Sequence, residues 1–173
     1  MELKGLLIEK KAAILSKWFD LILESYPSDT STFLKKQKNQ FANPVGHTIS
    51  EGIEGLFDGL LKEVNSDSDG VSPFLDNIIR VRAIQDFTPS EAIGFIFLLK
   101  KVIRESLQRE IREHQMYDEL LRLESRIDDL VRSAFNVYMK CREQVYELKA
   151  NEVKKMTFRL LQRANLVKEI QED

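Results

Sequence analysis

The longest helical signal, running from about Tyr117 to Ala164, limits the fold more than any other feature of the chain. At 1.5 Å per residue it spans about 70 Å, which outruns a compact domain of this size. Between Ile127 and Leu148 its apolar residues recur every seven. Ile127, Ala134, Cys141 and Leu148 form one row, and Val131, Tyr138 and Val145 form the other. Three heptads fit two arrangements: a helix packed on its own domain, or a coiled-coil-like seam shared with a second copy. Ala150-Asn151 is a candidate break.

The remainder also reads as helix, with no clean strand alternation between turn signals. The first helix is predicted from Glu2 to Ser25, with Leu3, Leu7, Ile14, Trp18, Leu21 and Ile22 on one face and Pro27 as its stop. A short amphipathic segment follows, around Thr32 to Asn39. Asn43-Pro44 is a strong helix start, an N-cap followed by proline at the first helical position. That helix runs to about Val64 with Val45, Ile49, Ile53, Leu56 and Leu60 inward. Gly52, Gly55 and Gly59 lie on or beside this face. Each costs about 1 kcal/mol relative to alanine, so a neighbouring helix is expected to pass close to them. Ser72-Pro73 caps and opens a helix to about Gln85. Thr88-Pro89-Ser90-Glu91 is a capping box opening the most apolar helix, central and buried from Ala92 to Leu99 and charged from Lys100 to about Glu113.

With 173 residues the chain suits one domain that needs no disulfide or metal to fold. Cys141 is the only cysteine, which excludes an intrachain disulfide and fits a buried thiol. The N-terminus MELKGLLIEKKAAIL has no signal-peptide core, and the eight-residue run Ala92–Leu99 is too short to cross a bilayer, which needs about 20 residues. A cytoplasmic location without membrane contact is expected. The 26 basic and 28 acidic residues are interspersed, which argues against nucleic-acid binding; Lys35, Lys36 and Lys38 read as a solvated face.

Chemical sites are sparse. Two histidines exclude a multi-histidine metal site. His47 shares a polar stripe with Glu51, Glu54 and Asp58, and His114 sits among charges near a helix end, so neither looks like a haem ligand. The loop with Asn65, Asp67, Asp69 and Gly70 resembles a calcium loop only superficially. Asp76 stands where a bidentate glutamate is required, and Pro73 intrudes. No nucleophile motif or di-iron pattern occurs, so no catalytic residue, cofactor or metal is assigned and no enzyme is expected. Two features stand out. Arg80, Arg82 and Gln85 interrupt an otherwise apolar helix, with Arg82 in line with Phe74, Ile78 and Gln85; an ion pair with an acid is the plain expectation, and anchoring an acidic ligand or coupling helices the sharper one. The second is Tyr138 with Cys141 and Arg142 in the long helix, read as packing at a seam.

The segment Phe41-Ala-Asn-Pro-Val-Gly-His-Thr-Ile49 with EGIEGLFDGLL resembles the start of the RsbRD-type N-terminal sensory domain. Ile79-Arg-Val-Arg-Ala-Ile-Gln-Asp-Phe87 and Thr88-Pro-Ser-Glu-Ala-Ile-Gly-Phe-Ile-Phe-Leu-Leu-Lys100 resemble its second signature. The resemblance, over about residues 5–150, implies a globin-like bundle without haem that dimerises and signals down a C-terminal helix into a phosphorylatable STAS domain. No STAS segment follows the long helix, so a stand-alone module is expected. The expected fold is all-α, a globin-like bundle of about five to six helices with a long C-terminal helix. Residues 1–150 form the sensory domain and 151–173 a helical extension. The expected function is a non-catalytic, homodimeric regulatory module answering a small ligand or protein partner through Arg80, Arg82 and Gln85, with the rows from Ile127 to Leu148 as the dimer or signalling helix. The rivals are a haem- or tetrapyrrole-binding globin-type sensor, and an accessory protein docking to an enzyme complex through Thr157–Ile170.

Overall fold

The computed structural model describes residues 2–37, 39–62, 72–85 and 87–164, and over these the chain is all-α, with seven helices and no strand. The helices are α1 (Leu3–Glu9), α2 (Lys11–Leu23), α3 (Ser28–Lys36), α4 (Pro44–Leu61), α5 (Pro73–Ile84), α6 (Pro89–Glu113) and α7 (Tyr117–Arg163). Lys38, the polar loop with Asn65, Asp67, Asp69 and Gly70, the expected end of α4 at Val64, and the part of Thr157–Ile170 beyond Ala164 lie outside the described residues.

The helix count exceeds the expected five to six for two reasons. The segment before Asn39 is a full helix, α3, and the first predicted helix is two. Lys10 leaves the helical conformation at φ −96°, ψ 9°, and its ammonium bonds the Ser106 carbonyl and the Glu110 carboxylate on α6. At the other end of α1, the Leu3 N–H donates to Glu119 on α7 at 2.8 Å. These tertiary bonds tie α1 to the α6–α7 end of the bundle, and no proline or glycine marks the break.

Helix α6 is the centre, packed on α2, α5 and α7, while α4 packs on α2, α5 and α7. Ala92, Phe95, Ile96 and Leu99 are buried as the apolar run predicts, although Phe97 faces outward. Trp18 of α2 is fully buried against Phe95 and donates its indole N–H to the Phe95 carbonyl at 2.7 Å, so its polar atom is satisfied inside the core. Arg104 forks onto Glu124 with two 2.6 Å bonds, joining α6 to α7. Arg126 donates to the carbonyls of Gly59, Leu60 and Lys62, closing the C-terminal end of α4.

The helix starts hold with one exception. Asn43 accepts from the Gly46 N–H at 2.8 Å and donates to the Leu34 and Gln37 carbonyls, and Thr88 with Glu91 forms the complete capping box. Ser72 makes no side-chain cap, and only Pro73 marks that start. The glycine expectation divides. A Cβ at Gly52 would lie 2.4 Å from Ile78 and one at Gly55 2.4 Å from Phe74, so α5 does cross there; at Gly59 nothing lies within 4 Å. Gly52→Val is therefore expected to cost about 2 kcal/mol through overpacking. Gly59→Ala should gain about 0.5–1 kcal/mol by removing a helix-interior glycine. Urea denaturation of the two variants should shift the midpoint in opposite directions.

Helix α7 runs unbroken through Ala150 and Asn151. Up to Cys141 it belongs to the core, packed on α5 and α6. From Val145 onward none of its described residues is buried.

Candidate functional site

Arg82 is 0% exposed, the one cation buried to that degree among the described residues. Its place on the core face of α5, in line with Ile78, dictates the burial, and the α2–α3 turn and the start of α6 supply its partners. Nε donates to the Ala92 carbonyl at 3.1 Å. One terminal nitrogen donates to the Glu91 carbonyl at 3.0 Å and the Ser25 hydroxyl at 3.2 Å; the other reaches the Tyr26 hydroxyl at 3.4 Å. The guanidinium carbon lies 4.1 Å from the centre of the Phe87 ring, with Tyr26 and Phe95 at 5.4 and 5.7 Å. Tyr26 in turn donates to Gln85 Oε1 at 3.0 Å and meets Phe87 edge-on at 5.2 Å between centroids.

The expected ion pair is absent among the described residues. Carbonyl dipoles, two hydroxyls and three π-faces hold the charge instead. Burial lowers the Arg82 pKa from its ordinary value, opposed by Tyr26 and then by the charge of Glu91. Burial likewise raises the Tyr26 phenol, opposed by Arg82. A guanidinium still keeps its proton at any physiological pH. The site is thus a fixed positive charge in a junction of α2, α5 and α6, built from groups that neither give nor take protons near neutrality.

Two clefts flank this junction and share Phe87. One, about 410 Å³, is lined by Ser25, Tyr26, Thr30, Gln85, Phe87 and Glu91 among others. The other, about 390 Å³, lies between the α5–α6 connection and α7 and is lined by Phe87, Thr88, Pro89, Tyr138, Met139, Arg142 and Tyr146. Across it Tyr138 donates to the Phe87 carbonyl at 3.0 Å, and Arg142 donates to the Ala83 carbonyl at 3.1 Å and the Tyr146 hydroxyl at 2.9 Å.

Of the three residues singled out on α5, the structure joins Arg82 and Gln85 through Tyr26 and leaves Arg80 out. Arg80 is half-exposed and pairs with Asp76 one turn earlier at 2.5 Å. Spacing alone could not find Ser25, Tyr26 and Phe87, because each lies outside a helix in the turns around Pro27 and Pro89. Ile127, Ala134, Tyr138 and Cys141 of the heptad rows are buried within the chain's own core, Val131 and Val145 are half-buried, and Leu148 is exposed.

Neither histidine suits a haem. His47 pairs with Glu51 at 3.1 Å at the surface, while Glu54 and Asp58 engage Lys11 of α2; His114 is exposed at the end of α6. No group of acidic, histidine or cysteine side chains that could hold a metal occurs among the described residues, and none of the described helices is long and apolar enough to cross a membrane.

Two carboxylates, one at the junction and one at the far end of α6, give the fold a pH signature. The Glu91 pKa is lowered by bonds from the Thr88 hydroxyl and then the Thr88 N–H, and that of Glu110 by Lys10. A depressed carboxylate stabilises the fold above the ordinary carboxylate range, and this is lost as pH falls through that range to the folded-state value. Thermal melts should therefore fall on acidification below about pH 4.5, with a shallower fall in Glu91→Gln.

Residues 12–153 match the model of a family described as the RsbT co-antagonist protein rsbRD N-terminal domain. A protein of Archaeoglobus fulgidus, described as uncharacterized, is 24% identical over 143 residues, covering 80% of this chain and 82% of that protein. No solved structure matches the chain.

Proposed function

Since the chain belongs to the family of rsbRD N-terminal domains of RsbT co-antagonist proteins, a family linked to stress-response regulatory signalling, we propose that it is a non-catalytic, haem-free, globin-like regulatory module. It acts as a homodimer and reports occupancy of the cleft beside Tyr26 and Gln85 along α7. The observation that carries this reading is the position of Phe87. Its ring rests on the buried Arg82 guanidinium and lines both clefts, while its carbonyl holds Tyr138 of α7.

A polar small molecule or a protein side chain bonding Tyr26 or Gln85 competes with the Tyr26–Gln85 and Arg82–Tyr26 bonds. Phe87 is packed against Tyr26 and Arg82 and must answer, and α7 feels the change at Tyr138 and Arg142. The haem alternative asks His47 or His114 to leave surface positions for an apolar interior, and nothing in their surroundings favours it. Docking through the end of α7 is compatible with the module and adds no separate site.

Amide hydrogen exchange tests the coupling. Tyr26→Phe removes the phenol that links Arg82 to Gln85 and should alter exchange over residues 138–146 as well as around 25–30. In a Phe87→Ala background the distant change should vanish. A Tyr26→Phe effect confined to the α2–α3 turn would refute transmission through Phe87.

A further inference from the structure

A third cleft, of about 190 Å³, opens where α1, the end of α4 and the first turns of α7 meet. It shares no residue with the two clefts beside Phe87. Leu123 on its wall and Tyr138 at the junction stand about 22 Å apart along α7. The walls are leucine: Leu3 and Leu7 from α1, Leu60 and Leu61 from α4, and Leu123 from α7. Four cations border it, Lys4, Lys62, Arg122 and Arg126, against one acid, Glu119.

Two of these charged groups are already engaged. Glu119 accepts the Leu3 N–H at 2.8 Å, and Arg126 is taken up by the carbonyls at the end of α4. Lys4, Lys62 and Arg122 are exposed and make no ion pair among the described residues. The cleft therefore joins an apolar interior to a border with cationic charge to spare. Helix α1 is tied at both ends, through Leu3 to Glu119 and through Lys10 to α6, so it holds the cleft open instead of settling into it. A ligand entering a wall already in place has little to order.

We propose that this cleft binds a small amphipathic anion, a carboxylate with an aliphatic tail of about six to eight carbons. The volume sets the tail. An apolar cavity of about 150 Å³ holds benzene, so this one takes a group slightly larger. The wall sets its chemistry, because no aromatic ring, amide or hydroxyl side chain lines the cleft to stack or read a polar scaffold. The border sets the head group. A carboxylate emerging there meets the Arg122 fork, with Lys4 and Lys62 adding charge, whereas a cationic head is repelled and a neutral one leaves the three unpaired. This site and the Phe87 junction stand independently of each other.

An amide chemical-shift titration of the full chain with sodium octanoate gives both affinity and place. A dissociation constant between about 0.1 and 1 mM is expected for so small a ligand. The shifts should cluster at residues 3–7, 60–62 and 119–126. 1-Octanol and octyltrimethylammonium should bind about tenfold more weakly or worse, and Lys4→Glu/Arg122→Glu should weaken octanoate by a similar factor with an unchanged melt. Dodecanoate, whose tail outruns the cleft, should gain little over octanoate. The proposal is overturned by absence of octanoate binding at several millimolar, by octanol binding as well as octanoate, or by an unaffected double variant. Dodecanoate binding that tightens with every added methylene would overturn it too, since the tail would then lie on open surface. Shifts confined to residues 25–30 and 85–91 would overturn it and leave the junction reading standing. The shift map and the head-group comparison use the unmodified chain, so they decide the matter whatever the melt of the double variant.

Discussion

Arg82→Ala should lower the free energy of unfolding by about 3 kcal/mol, the sum of a core cavity and hydroxyls left without a donor. The side chain is wholly enclosed and touches the α2–α3 turn, α6 and three aromatic rings. Arg82→Met separates the two terms. Methionine fills much of the volume and removes a buried charge that has no acidic partner among the described residues. Replacements of that kind are often close to neutral. Arg82→Met is therefore expected to recover most of the loss in urea denaturation while leaving Ser25 and Tyr26 without their donor. Unchanged stability in Arg82→Ala would contradict the burial itself. Equal losses in the two variants would show that the hydrogen bonds, rather than the filled space, hold the junction.

Ala134→Glu and Leu160→Glu place the same charge on one helix and should behave in opposite ways. Ala134 is fully buried on the core face of α7, and a carboxylate there is desolvated without a partner. The expected cost is at least about 4 kcal/mol, enough to unfold a domain of ordinary stability. Leu160 projects from the free part of the helix, so its variant should melt with the parent and change only the tendency to self-associate. Circular dichroism melts of both variants divide α7 into a structural and an interaction segment. If Ala134→Glu kept the native melting temperature, that division would be wrong.

Much of this fold was legible in the sequence, for reasons that attach to particular residues. The starts at Asn43-Pro44 and Thr88-Pro89 are set by local capping chemistry, and the apolar run after Ala92 had to be central because it has few polar faces to offer. Gly52 and Gly55 announced a close crossing that the structure bears out, whereas Gly59 faces open space and served no such purpose. Tertiary events were less legible. The kink at Lys10 is held by residues about a hundred positions away, and no local signal marks it. The candidate site was half visible. A lone arginine on an apolar face pointed to Arg82, but its partners come from turns and backbone carbonyls, which carry no periodicity. Arg80 was drawn in by proximity in sequence, and 200° of helix rotation sends it to solvent. The seven-residue repeat also supported two arrangements at once. Its inward use ends at Cys141, and from Val145 onward no described residue of α7 is buried.

Sedimentation equilibrium of the full chain beside a Val153→Glu/Leu160→Glu variant shows whether the exposed apolar residues at the end of α7 make this domain a dimeric module. A dimer is expected for the parent and a monomer for the variant, with the same melting temperature in dilute solution. A monomeric parent, or a variant that remains a dimer, would contradict it.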